Sequence, residues 1–306
     1  MITAKIDYHK FAKLAWPIFI LAALLLVAVF IPGVGASFGK TRSWVQVGSL
    51  FSFQPAEIMK LAFIMITAHW LADHRDDLNN WLGVIKYLAF PAVVAVLLIL
   101  QPDIGTLTIF GAITLALLFV ANIPWKYLLT LLALGLGGLA VAIVSAPYRA
   151  RRFMTFLHPE LDPQGIGYHI NQALLAIGSG GIFGLGYGHS RQKYQYLPEV
   201  NADSIFAVIG EELGFIFAAA FVIFLFILLA RGIKIAKIAP DAFGRYLVIG
   251  IIVWITVQSF VNIAAMVGLL PLTGVPLPFV SAGGTALVAV LAAAGMVVNV
   301  SRQTRV

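Results

Sequence analysis

The chain is 306 residues long, 61% hydrophobic and only 11% charged, with 20 Lys and Arg against 13 Asp and Glu and no cysteine. A mean hydropathy of +0.97 leaves too little polar surface for a soluble globule of this size, so the composition excludes a soluble enzyme and indicates an integral membrane protein. The lack of cysteine excludes disulfides, thiolate metal sites and cysteine nucleophiles.

A helix needs roughly 20 apolar residues to cross a hydrocarbon core of about 30 Å, and runs of that kind recur along the chain. Eight are legible: Leu14–Pro32, Phe53–Ala72, Val84–Leu100, Ile104–Ala121, Lys126–Ala146, Ser204–Ala230, Tyr246–Leu270 and Gly284–Val300. The expected fold class is therefore all-α, a polytopic transmembrane bundle forming one domain over residues 1–306. The first run has Lys5, Lys10 and Lys13 before it and Gly35-Ala36 after it, as a secretory signal would. It is longer than a signal core and carries Trp16-Pro17 at its head, so it reads as a span.

Within the second run stand the rarest residues of a membrane interior, Glu57 and Lys60, in Phe53-Gln-Pro-Ala-Glu-Ile-Met-Lys60. Three residues apart on a helix they share a face, and each is the natural partner of the other. They fit a proton or ion relay, or a structural pair that fixes packing; one pair does not outline a transport path. Asp103, in Gln101-Pro-Asp-Ile-Gly-Thr106, stands before the fourth run, where capping is a better expectation than catalysis.

A polar interruption of 57 residues, Pro147 to Asp203, follows the fifth run. With the N-terminus inside, the inner segments hold 12 basic residues (Lys5, Lys10, Lys13, Arg75, Lys86, Lys126, Arg231, Lys234, Lys237, Arg245, Arg302 and Arg305). The outer ones hold 7 (Lys40, Arg42, Arg149, Arg151, Arg152, Arg191 and Lys193). That excess implies cytoplasmic termini and an outer location for the 147–203 loop. Arg149, Arg151 and Arg152 at its entry suit either an anionic ligand or lipid phosphates. Tyr168–Ile177 has amphipathic helical spacing, and the glycine-rich Gly178–Gly188 then turns the chain before Arg191-Gln-Lys193, a pattern expected to fold back into the membrane interface. These glycines match no nucleotide-binding pattern; tight turns and close helix approach explain them. At the loop's exit Asp203 precedes Ser204-Ile-Phe-Ala-Val and fits both a helix cap and a catalytic carboxylate, while at least one of Glu211 and Glu212 must face protein or water.

Five stretches resemble the SEDS family of cell-wall polymerases, which comprises FtsW, RodA and SpoVE. They are Ser43–Lys60, Gln101–Thr106, Gly178–Gly188, Tyr196-Leu-Pro-Glu199 with Asp203–Gly214, and Gly268–Gly284, in family order across nearly the whole chain. The tyrosine-led Tyr196–Glu199 and Gly268–Gly274 look more like FtsW than RodA. The resemblance implies a catalytic aspartate at Asp203 and a core ion pair at Glu57 and Lys60. Two departures bear on site geometry: Asn201-Ala202 where the family usually has His-Thr, and Ala282-Gly-Gly-Thr285 where it has Tyr-Gly-Gly-Ser. Family members usually have ten helices, and Ile6-Asp-Tyr8 resembles the lead-in to their third, which implies that the first two are lacking here.

The activity implied is peptidoglycan glycosyltransfer from lipid II, a disaccharide-peptide on undecaprenyl pyrophosphate. A pyrophosphate leaves as a stable anion, so a single carboxylate base suffices, with no general acid of the glycosidase kind. Asp203 would take the proton from the acceptor's 4-hydroxyl, with partial desolvation raising its basicity. Arg149, Arg151, Arg152 and Lys193, or a bound divalent cation, would hold the pyrophosphate. No His and carboxylate set is spaced for a dedicated metal, so no structural metal is expected. The resemblance further implies a class B penicillin-binding protein as transpeptidase partner, divisome or elongasome proteins, a bacterial inner-membrane location and no nucleic-acid partner. A lipid II flippase using Glu57 and Lys60, a secondary transporter and a non-catalytic scaffold are the alternative classes; the absence of an internal repeat weighs against a transporter.

Overall fold

The computed structural model describes residues 2–38, 41–47, 51–194 and 196–304. Lys40 and Arg305 of the charge count, and Gly48-Ser-Leu50 of the first family-like stretch, lie outside the described residues. Among the described residues the helices are α1 (Tyr8–Ala28), α2 (Pro55–His74), α3 (Trp81–Leu100), α4 (Ile104–Val120), α5 (Trp125–Val144), α6 (Pro147–Leu157), α7 (Ile166–Ser179), α8 (Ile205–Lys237), α9 (Ala242–Met266) and α10 (Gly284–Gln303). Each expected span falls on one of them. Six are long and apolar enough to cross a membrane: α1, α3, α5, α8, α9 and α10. The chain is a multi-pass, mostly helical membrane protein.

One element was not anticipated. Gly35–Phe38, Thr41–Val47 and Phe51–Phe53 form strands β1, β2 and β3 of an antiparallel sheet in that order, with Ala36 opposite Trp44 and Val45 opposite Phe53. The period-two signal was present, since Ser43 and Val45 are buried and Gln46 is exposed.

By its contacts the chain divides into two compact units. The first comprises residues 1–132, 229–255 and 284–306. Its central helix is α2, which is buried on all sides and packs against α1, α3, α4 and α10. A helix with no polar face to offer water belongs in a core. Glu57 and Lys60 lie on it, both fully buried, with Lys60 Nζ donating to Glu57 Oε1 at 2.7 Å and standing 5.4 Å from the ring centre of Trp254. Pairing lets two charges persist where water is excluded, and removing either would strand the other. Asp103 caps α4, as expected, accepting from Thr106 N at 3.0 Å.

The second unit comprises residues 133–228 and 256–283 and holds the whole polar interruption. The interruption is structured: it holds α6 and α7, and the amphipathic stretch expected at 168–177 lies within α7. Ile170, Ala173 and Ala176 of α7 join a core with Phe206 and Ala207 of α8, Ile263 and Met266 of α9, and Leu272 and Leu277 beyond it.

Candidate active site

Helix α8 determines the layout of the second unit. It is broken at Gly214, whose φ of 75° and ψ of −177° belong to a region that only glycine enters cheaply. The break frees the carbonyls of Glu211 and Glu212, and the glycine-rich turn answers them: Leu185 N donates to Glu211 O at 2.9 Å and Gly186 N to Glu212 O at 3.0 Å. Beyond the break, Phe215 N donates to Gly181 O and Ile216 N to Ile182 O. So close an approach leaves no room for a side chain at Gly184, where a Cβ would stand 2.2 Å from Glu212 O.

The two glutamates are consumed by the same turn. Glu211 is fully buried, accepting from the Ser190 hydroxyl and from Arg191 N at 2.9 Å. Glu212 accepts from Lys193 Nζ at 2.7 Å. Both face protein, which satisfies the expectation for at least one of them. Lys193, a sequence candidate for substrate binding, has its charge engaged here, and Gly188 O takes a second of its hydrogens.

Asp203 lies just before α8, in a turn whose backbone is tied at every residue. Ala282 N donates to Asn201 O at 2.7 Å, the Ser281 hydroxyl donates to Ala202 O, and Asn262 Nδ2 donates to Asp203 O at 2.8 Å and to Val275 O at 2.9 Å. On the other side Ser204 Oγ donates to Pro198 O at 2.7 Å and so receives the hydrogen of His169 Nε2, also at 2.7 Å. That assignment fixes the imidazole as the Nε2–H tautomer. The Asn201-Ala202 and Ala282 departures therefore meet in the fold, and they meet through main-chain groups that do not depend on which side chains they carry.

One oxygen of the carboxylate inside this frame is left without a partner. Asp203 Oδ1 is enclosed and has no hydrogen-bond partner, so the side chain does not cap α8 as its position before the helix allowed. The Cβ that Gly274 lacks would stand 3.9 Å from Oδ2, so the glycine keeps that side of the carboxylate open. Burial pushes the Asp203 carboxyl up to about 6; its own backbone N–H and the Arg152 guanidinium oppose the rise, and Glu199 adds to it. His169 is pushed down to about 4, by burial first and then by Arg152. Near neutrality the site holds a neutral imidazole and a carboxylate poised to accept a proton.

The three arginines of the loop entry separate. Arg149 Nη1 donates to Ala142 O at 3.0 Å, close to the C-terminal end of α5, and Arg151 is exposed. Arg152 lies against the Tyr148 ring, 5.2 Å from its centre, acts electrostatically on both Asp203 and His169, and keeps a buried Nε with no acceptor. The structure thus brings Arg152 to Asp203 and gives Arg149 and Lys193 other partners. Sequence reasoning missed Asn262, Ser281, Ser204 and His169; a polar Asn262 inside an apolar span was the available signal.

A family model described as "Cell cycle protein", covering FtsW, RodA and SpoVE, matches residues 1–306. The chain belongs to this family. Stage V sporulation protein E of Bacillus subtilis is 40% identical over 301 residues, which cover 98% of this chain and 82% of that protein. A probable peptidoglycan glycosyltransferase FtsW of a Geobacter species is 38% identical over the same length, with coverage of 98% and 82%. Among solved structures, RodA of Thermus thermophilus, a rod shape determining protein, matches with a TM-score of 0.72 and 27% identity over 100% of this chain and 83% of that one. A peptidoglycan synthase complex, described as coordinating polymerization and crosslinking, contains a chain that matches with a TM-score of 0.82 and 28% identity over 99% and 85%. The SEDS resemblance is thereby placed on the whole chain.

Proposed function

We propose that this family member is a peptidoglycan glycosyltransferase that polymerises lipid II, with Asp203 as general base. The observation that carries the assignment is a carboxylate with a free, enclosed oxygen and a proton affinity raised toward neutrality, in a turn whose backbone is fixed by donors from α9 and the 275–282 segment. Asp203 takes the proton of the acceptor's 4-hydroxyl as that oxygen attacks the donor's anomeric carbon. The bond to undecaprenyl pyrophosphate breaks with inversion, and Asp203 afterwards passes its proton to water. Fixing the base in advance removes reorganisation from the reactive step, and a well-placed base contributes about 10²- to 10⁴-fold.

Arg152 is the group suited to the donor's pyrophosphate, since its Nε has no protein acceptor. Among the described residues no three His, Asp or Glu side chains converge to hold a metal ion, so a divalent cation would arrive with the donor's pyrophosphate and would help neutralise its charge. The protein resides in the bacterial inner membrane with both termini in the cytoplasm and works beside a class B penicillin-binding protein. The synthase complex among its structural relatives, which coordinates polymerization with crosslinking, supports that pairing.

The test is glycan-strand formation from lipid II by the purified chain, alone and with its transpeptidase. Asp203→Asn is expected to lower the rate about 10²-fold or more while lipid II binding persists. Strand synthesis at the unaltered rate in that variant would refute the assignment.

A further inference from the structure

The glycine-rich turn carries a second feature that the site leaves unused. Phe183 is 82% exposed and Tyr187 86%, and Ile182 beside them is also open. So much apolar surface on one short hairpin calls for an occupant.

Its height relative to the bilayer follows from α8. From Phe215 to Lys237 the helix is about 35 Å long at 1.5 Å per residue, enough by itself to cross a hydrocarbon core of about 30 Å. The segment from Phe215 to Ala230 carries no charge, and Arg231, Lys234 and Lys237 follow at the far end. Gly214 therefore marks the upper edge of the span. The hairpin Gly181–Gly186 is fastened to that edge by four backbone hydrogen bonds of 2.9 to 3.2 Å, through Gly181, Ile182, Leu185 and Gly186. Its exposed side chains continue the surface of Phe215, itself 69% exposed, and of Ile216.

We propose that this hairpin is a membrane-interface anchor whose occupant is the lipid bilayer itself. Phe183 enters the top of the acyl region and Tyr187 lies at headgroup level, where an amphipathic ring is favoured. Exposed Arg191 is available to lipid phosphates. The half-helix Ile205–Leu213 then acts as a post about 14 Å long that sets the height of Asp203 above the bilayer. The inference is independent of the reaction assigned to Asp203.

The cysteine-free sequence makes the full chain its own background for a depth measurement. Phe183→Cys and Tyr187→Cys, each carrying a nitroxide, are reconstituted without partner proteins in phosphatidylethanolamine–phosphatidylglycerol vesicles, with Leu136→Cys as lipid reference and Glu160→Cys as aqueous reference. The expected result is that dissolved oxygen relaxes the Phe183 label more strongly than a water-soluble nickel chelate does, as at Leu136, and that Tyr187 falls between the references. A Phe183 label relaxed chiefly by the nickel chelate, as at Glu160, would overturn the proposal and leave the patch to a protein partner.

Discussion

At Asp203 a residue's position and its partners point in different directions. Standing two residues before α8 starts, it was a candidate cap by sequence, yet the hydrogen bonds fix its backbone and leave Oδ1 alone. Its raised proton affinity has a stability consequence whose sign is definite. The folded carboxyl titrates near 6 against an ordinary 3.8, so its contribution to stability is full below about pH 4 and is lost as the pH rises through 6. Asp203→Asn is accordingly expected to raise stability at pH 7.5 by about 1–2 kcal/mol after allowing for partial solvent screening, and the thermal midpoint with it, the gain being gone near pH 4. A midpoint that fell at pH 7.5 would show the ionised carboxylate to be stabilising. Arg152 and Arg151 provide the matching contrast among cations. Arg152→Ala is expected to raise KM for lipid II about tenfold or more, and Arg151→Ala to change it little; steady-state strand synthesis with each variant decides.

Among the elements, α8 was legible as a span but its interruption was not. Hydropathy sees an unbroken apolar run through Ser204–Ala230, because a broken helix keeps the composition of a whole one. The break is a contact effect: Gly214 and Gly184 approach so closely that a Cβ on Gly214 would stand 2.3 Å from Gly184 N. Gly214→Ala is expected to cost about 3 kcal/mol or more, from backbone strain together with the clash. Gly181→Ala also has a positive φ, but with nothing within 4 Å its cost is about 1 kcal/mol. Thermal unfolding of the two variants in the same detergent measures the difference, and equal midpoints would mean that the close approach is not made. The sheet at residues 35–53 was missed for another reason, since its period-two alternation is short and lies between two much stronger helical signals.

For the molecule as a whole, composition and hydropathy were enough for the class, because a hydrocarbon solvent leaves helices few alternatives. The Glu57–Lys60 pair was readable for the same reason: two opposite charges three residues apart in an apolar helix have little choice but each other. The site was readable only at Asp203, and there through family resemblance more than through spacing. Its frame comes from Asn262, Ser281 and His169, which lie 34 to 78 residues from Asp203 in sequence and act mostly on backbone atoms, leaving no pattern along the chain. The proposal that Asp203 accepts a proton in the rate-determining chemistry is tested most directly by the pH dependence of single-turnover strand elongation at saturating lipid II. The rate is expected to climb through an apparent pKa near 6 to a plateau above it, and Asp203→Asn is expected to lose both the plateau and the inflection. An inflection near 6 that survives in Asp203→Asn would contradict the claim.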